Sequence, residues 1–467
     1  MLISAIIVVS CFAGVVLLIL TGKMNRAIAA ITGAIICYFV LIYIEKDVVV
    51  DFSTFIGFLF GTIEDGFVSL HSILLILGMM LVVNVCHEAG VFQFLAFRLV
   101  QLTKGRPKYM LVVLCSITVL VSAVLNNILT VIILIPLTIM ISRILNVNPE
   151  PYILMEAILV NIGGTIFTIS SIPNILITSS AGISFGEFFL NVGVLSLFVF
   201  GITIAFFFLL YRKKLTYNPD SAWVLQEYNA LNFVPNVSLL YKSIGVLVGV
   251  LVCFILIPST LIPPDIIALT AGIILVIISR LNPKEIIKKL DFELILYLLG
   301  IFVIAGSLEA TGFIELIGTG LGALGGDSAY ANIMIILWVS AYLSANIDNI
   351  PITRVLIPVV GVIGQKFSPD IQRLANYALA IGANWGDNLT PMGDNILVVN
   401  LCEQNKRPIS VREFTKLGFI TTNLQLLVIT IIYSLVMATL IGFIILGTLA
   451  VIIGLVLWRR KKRQKVK

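Results

Sequence analysis

Apolar runs follow one another along this chain with little room between them for polar structure. Runs of about 17 to 22 residues lie near 2–20, 26–44, 70–88, 189–211, 241–257, 265–280, 293–309, 417–437 and 440–458. Each is long enough to cross a hydrocarbon core of about 30 Å as a helix. Two further spans, near 151–181 and 374–402, are interrupted. The first breaks from Gly163-Gly164 to Pro173-Asn174, the second from Gly386-Asp387-Asn388 to Gly393-Asp394-Asn395. Two regions, 108–144 and 329–366, are too long for one crossing, since about 37 residues make a helix of roughly 55 Å. Both have Asn-rich centres, so each is expected to fold back as a re-entrant hairpin with its tip near the midplane. The pattern predicts an all-α polytopic membrane protein with about eleven transmembrane helices.

The polar interruptions repeat. Leu125-Asn126-Asn127-Ile128 precedes Pro136, and Ile347-Asp348-Asn349-Ile350 precedes Pro358 at the same spacing, 222 positions later. Gly78 and Gly90 recur at that interval as Gly300 and Gly312. The chain is therefore expected to hold two transport repeats, 68–214 and 290–437. N-terminal scaffold helices (1–67), a linker with scaffold helices (215–289) and a C-terminal helix with a basic tail (438–467) would flank them. Broken, polar-tipped segments at matching places in two halves point to the binding site of a secondary transporter.

Composition agrees: 59% of residues are hydrophobic and 12% charged, with a mean hydropathy of +1.11. No polar stretch is long enough for a soluble domain. The first apolar run has no basic segment before it and no small-residue cleavage site, so it reads as a retained span. The six cysteines lack CxxC spacing and read as buried small hydrophobes rather than disulfides or metal ligands. The net charge of +6 is a topology signal, not a nucleic-acid site. With the N-terminus outside and eleven crossings, 26 of the 30 Lys and Arg fall on the cytoplasmic side. The C-terminus is then cytoplasmic, and a multi-pass plasma-membrane location follows. Four basic residues precede the first hairpin (91–108) and none the second (313–330), so the repeats are expected to be inverted. There is no GxxxxGK[ST], GxSxG or HExxH. The chain is thus not expected to be an enzyme or to hydrolyse ATP itself, though a separate ATPase partner stays open.

Asp348 is the first candidate site residue. A carboxylate near the midplane is costly unless it meets a cation, a proton or an arginine; the alternative is a fixed ion pair with Arg354, which is itself a candidate to pair with an anionic substrate. Asp387 and Asp394 flank an unwound stretch whose carbonyls suit a hard cation; otherwise they are turn and cap residues. Asp348, Asn349, Asp387 and Asp394 are the sodium candidates. Asn126, Asn127, Asn346, Asn349, Asn388 and Asn395 offer amides to an ion or an oxyanion, or close the tips onto backbone. Thr130, Thr353 and Thr390 add hydroxyls. Thr165, Thr168, Ser170, Ser171 and Asn174 make a neutral lining in which half-helix N-termini favour an anion. Glu156 joins Asp348 and Asp387 as a proton-carrying candidate. His71 and His87 have no acid or cysteine at metal spacing and read as interfacial.

The chain resembles the ion transporter superfamily, in the branch of arsenite permeases, NhaD-type sodium–proton antiporters and the melanosomal P protein, with a citrate transporter-like domain. The resemblance covers about residues 70–440. It rests on Ser122-Ala123-Val124-Leu125-Asn126-Asn127, Asn161-Ile162-Gly163-Gly164-Thr165, Ile347-Asp348-Asn349-Ile350-Pro351 and Gly386-Asp387-Asn388-Leu389-Thr390-Pro391. It implies an elevator-type exchanger, a homodimer in the bilayer, with no cofactor beyond bound sodium or protons. Asn126 stands where many relatives carry an aspartate, and Ser170-Ser171-Ile172-Pro173-Asn174 stands where relatives often carry Gly-Asp-Pro-Pro-Asn, so the first half has lost two carboxylates. The leading expectation is sodium- and proton-coupled exchange by alternating access. An arsenite, oxyanion or carboxylate permease is the alternative within the class, and an anion channel the alternative outside it.

Overall fold

In a computed structural model, residues 2–44, 51–63, 66–212, 227, 229–391 and 395–448 are described, and among them there is no β-strand. Asp394, one of the sodium candidates, lies outside these residues, as does the tail beyond 448. The first part of the chain forms α1 (Leu2–Leu20), α2 (Arg26–Ile44), α3 (Phe52–Phe60), α4 (Val68–Glu88) and α5 (Val91–Leu102). Next come α6 (Pro107–Ser122) and α7 (Asn127–Ile144), then α8 (Glu150–Gly163) and α9 (Ile172–Ala181). A short α10 (Phe185–Phe188), a π-turn and α11 (Val194–Tyr211) together make one apolar span. The middle of the chain supplies α12 (Val237–Leu256), α13 (Pro264–Ser279) and α14 (Pro283–Lys288). The order then repeats with α15 (Phe292–Ala310), α16 (Phe313–Gly325), α17 (Ala329–Ser344), α18 (Asn349–Gly364), α19 (Pro369–Gly386), α20 (Ile396–Gln404) and α21 (Val411–Met437). A last described helix, α22, covers Thr439–Thr448.

Eight of these helices are long and apolar enough to cross a membrane, and shorter apolar helices accompany them. The expected interruptions fall where polar residues and proline put them. The first long region breaks at 123–126 into α6 and α7, and the second at 345–348 into α17 and α18. Pro136 and Pro358 sit inside the second arms. The two broken spans are α8–α9, joined through a 3-10 turn at Thr168–Ser170, and α19–α20, which has a matching turn at Asp387–Leu389. Some helices start earlier than their apolar runs. Asn236 caps α12 through the N–H groups of Ser238 and Leu239, and Ser410 caps α21 seven residues before its apolar stretch.

The recurring glycines have a steric reason. A Cβ on Gly78 would lie 2.5 Å from the Leu269 nitrogen, and one on Gly300 would lie 2.6 Å from the Ala30 carbonyl carbon. The backbones of α4 and α13 therefore touch, as do those of α15 and α2, in the close approach that small residues allow between apolar helices. Both pairs run parallel. His71 meets Asp265 at the start of one pair, and Arg26 meets Asp291 at the start of the other. Beside these pairs, the hairpin arms and broken helices pack mainly on one another: α6 on α8, α17 on α19, α7 on α20 and α18 on α9.

Candidate functional site

The two hairpin tips meet at one cavity of about 110 Å³. Asn126 is the N-cap of α7, its Oδ1 accepting from the Leu129 N–H at 2.8 Å. Asp348, 222 positions later, is the N-cap of α18 and accepts from the Ile350 N–H at 3.2 Å. Asn and Asp are interchangeable as caps, which explains how one position can hold an amide in one repeat and a carboxylate in the other. The start of α9, with Ser170 and Ser171, completes this side of the cavity, and Asn127 and Asn349 border it too. Three helix N-termini thus converge, each presenting first-turn N–H groups and the positive end of its dipole.

The other wall was not anticipated. Arg26, Lys289 and Asp291, which the sequence offers only as charges at span ends, border the same cavity. Arg26 donates to Asp291 at 3.0 Å and to Glu293 at 3.1 Å, and its guanidinium lies 5.9 Å from the Tyr297 ring centre. The Tyr297 hydroxyl donates to Asp348 Oδ2 at 3.4 Å. Lys289 donates to Glu88 at 2.5 Å. The alternative of a fixed Asp348–Arg354 pair is not what forms. Arg354 donates to Ser69 Oγ at 3.5 Å and stands 4.9 Å from the Phe302 ring centre, away from the tip cavity, while Asp348 shares that cavity with Arg26.

Behind the tips, buried amides knit the two repeats together. Asn127 donates to Asn161 Oδ1 at 2.5 Å, Asn161 to Asn388 Oδ1 at 2.7 Å, and Asn388 to the Ile158 carbonyl at 2.9 Å. In the reciprocal direction Asn384 donates to Asn174 Oδ1 at 2.8 Å, and Ser171 donates to Asn384. Asn174 closes the first break onto the Gly164 carbonyl at 2.8 Å, and Asn395 closes the second onto the Asp387 carbonyl at 2.9 Å. Asn127, Asn174, Asn388 and Asn395 therefore use amide donors for closure. Asn384 and Asn161, central to this network, were absent from the sequence-derived candidates.

The remaining candidates are scattered. Asn346 is exposed and bonds back to the Tyr342 carbonyl, outside the cavity. Thr130 bonds the Asn126 carbonyl within its own helix, and Thr353 is fully buried in α18. Thr165 receives the Trp385 indole N–H at 3.0 Å, and Thr390 donates to the Ala345 carbonyl. Asp387 is buried in the second break and does not border the tip cavity. Glu156, equally buried, accepts from Thr138 at 2.7 Å in the body of the hairpin. Thr168 borders a different cavity of about 310 Å³ on the other side of the first break. His71 lines that one, bonded at 2.9 Å to Asp265, so the histidine does have an acid partner. It comes from α13, 194 residues away, where sequence spacing gives no hint of it.

The profile of the citrate transporter family (CitMHS) matches residues 16–376. An uncharacterised transporter of Mycobacterium tuberculosis is 29% identical over 424 residues, covering 90% of this chain and 95% of its own. The P protein of Mus musculus is 27% identical over 494 residues, covering 88% of this chain but 58% of its own length. Among solved structures, the YdaH transporter of Alcanivorax borkumensis superposes with a TM-score of 0.59 at 14% identity, over 90% of this chain and 99% of that one. MtrF of Neisseria gonorrhoeae, described as representing a class of antimetabolite efflux pumps, gives 0.52 at 14% identity, over 88% and 94%. These likenesses support the fold alone. With its profile match running over most of the length, this multi-pass membrane protein belongs to the citrate transporter family within the ion transporter superfamily.

Proposed function

We propose that the chain is a sodium-coupled secondary transporter of a small anion, a carboxylate or an oxyanion, working by alternating access. The observation that carries this is the tip cavity, where three helix N-termini, Arg26 and Lys289 surround one space that also holds Asp348. Converging N-termini and basic side chains favour a negative solute. Of the two carboxylates bordering it, Asp291 is paired with Arg26, and Asp348 suits a cation that travels with the solute, because a midplane carboxylate needs a counter-charge. Asn126, Asn127, Asn349, Ser170 and Ser171 would orient the solute. In this reading 68–214 and 290–437 are inverted transport repeats, and 1–67 with 215–289 are scaffold. The same reading has the protein in the plasma membrane with the N-terminus outside, as a dimer.

A second reading is plain sodium–proton exchange at Asp348. The first half's loss of carboxylates leaves Asp348 as the single acidic residue at the two tips, which favours it.

Both are tested in proteoliposomes. Uptake of labelled citrate, succinate, phosphate and arsenite is measured under an imposed sodium gradient, with a pH-sensitive dye recording protons, for wild type and Asp348→Asn. The proposal expects saturable, sodium-driven uptake of one anion, falling at least about tenfold in the variant. Sodium-driven proton movement without anion uptake would select the second reading. Unsaturable current with neither would remove both and point to a channel.

A further inference from the structure

Arg26 takes part both in the scaffold contact between α2 and α15 and in the lining of the site. It opens α2, whose backbone is pinned against α15 by the Gly300–Ala30 approach. Its guanidinium is divided between Asp291 and Glu293, at 3.0 and 3.1 Å, where α15 begins. It also borders the tip cavity with Asp348, and Tyr297 touches both: the Arg26 guanidinium lies 5.9 Å from its ring centre and its hydroxyl donates to Asp348. Two carboxylates thus hold the guanidinium, and a third, Asp348, borders the same cavity. The first two belong to α15, and the third belongs to a hairpin tip.

We infer that Arg26 is a tethered cation that competes with the coupling sodium for Asp348, and so sets how readily the ion leaves on this face of the protein. The inference rests on the reading of Asp348 as the sodium site. The physical reason is charge conservation in a poorly solvated space. When sodium leaves, Asp348 still requires compensation, and the guanidinium that borders the same cavity can supply it. When sodium binds, Arg26 is retained by Asp291 and Glu293, which need it in turn. Asp291 and Glu293 therefore act as a parking place whose strength tunes the competition. Lys289 does not take this role, because Glu88 holds it at 2.5 Å.

This arrangement makes two variants shift sodium affinity in opposite directions. Arg26→Gln removes the competitor, and the sodium concentration that half-saturates binding falls. Asp291→Asn combined with Glu293→Gln releases Arg26 toward Asp348, and that concentration rises. Each shift is expected to be about tenfold, the size of an ordinary coupling between two sites. Arg26→Lys keeps the charge and stays close to wild type.

The experiment is sodium titration by calorimetry on the purified full-length protein in detergent. Wild type and Asp348→Asn are run beside the three variants, with thermal unfolding of each as a folding control. Opposite shifts in folded variants support the competition. If wild type binds sodium and Asp348→Asn does not, but the Arg26 and Asp291/Glu293 variants bind like wild type or shift together, Arg26 is only a brace between α2 and α15 and the inference is overturned. If Asp348→Asn binds sodium as wild type does, or wild type binds none, the Asp348 site itself is wrong and this inference falls with it.

Discussion

Asn161 and Asn388 stand 227 positions apart in the sequence and share a hydrogen bond of 2.7 Å in the fold. Both are fully buried, so removing either amide strands polar partners that water does not reach. The cost of such a loss is about 1–3 kcal/mol in a protein interior, with interhelical bonds in membranes at the lower end. Asn161→Ala and Asn384→Ala are each expected to lower the unfolding temperature of the detergent-purified protein by several degrees. Asn346→Ala should change stability by less than about 0.5 kcal/mol, because its exposed amide serves only its own helix. Equal effects at all three positions would refute the distinction between network and surface amides. Of the three, the sequence singles out Asn346 because it sits at a repeated tip. It omits Asn384 because nothing within its own helix reveals that Asn174 and Ser171 face it. Arg26 is missed for a related reason: a basic residue at the start of a span reads as a topology signal until Asp348 is seen across the cavity.

At the scale of helices, legibility depended on spacing rather than partnership. The hairpin breaks and interrupted spans were visible because polar residues inside an apolar run have few uses, and because the same interruption occurs twice. Helix starts such as Val237 and Val411 were not, since Lys242 and Ser243 interrupt the apolar pattern in one, Arg412 and Glu413 in the other, and each cap is a single residue. The recurrence of Gly78 and Gly300 was visible, but its cause was not, because the sequence does not say that α13 and α2 lie against them. That cause gives a contrast. Gly78→Ala and Gly300→Ala place a methyl group within 2.6 Å of backbone atoms, and overpacking of this kind costs about 1–3 kcal/mol. Gly245→Ala and Gly249→Ala, in α12, meet nothing within 4 Å. They should be neutral or stabilising by up to about 1 kcal/mol, as alanine is the better helix former. Thermal unfolding of the four variants checks this, and destabilisation by the α12 pair to the same extent would show that glycine at these positions acts through something other than close packing.

For the molecule as a whole, the open question of arrangement is whether the two hairpins enter from opposite faces. The bias of Lys and Arg in the sequence argues that they do, and three contacts support it. Lys108, in the first turn of α6, lies 5.7 Å from the Phe208 ring centre near the end of α11. Tyr330, in the first turn of α17, is bonded at 2.7 Å to Ser434 near the end of α21. Tyr433 and Val436, beside Ser434, border a groove with Leu190 and Val194 at the opposite end of the α11 span. Arg106 and Ser328 are the N-caps of α6 and α17, 222 positions apart, and both are exposed. They therefore report directly on the relation between the repeats. Of the six cysteines, only Cys11 and Cys253 are not buried, and both are only partly exposed; replacing them with alanine gives a background with little intrinsic labelling. On that background, a membrane-impermeant maleimide should modify Ser328→Cys in intact cells and Arg106→Cys only after the cells are opened. The reverse assignment would keep the inversion but place the N-terminus in the cytoplasm. Modification of both from one side would mean parallel repeats. Two broken helices could then not present their N-termini to a shared solute from opposite faces, and alternating access about the Asn126–Asp348 cavity would have to be abandoned.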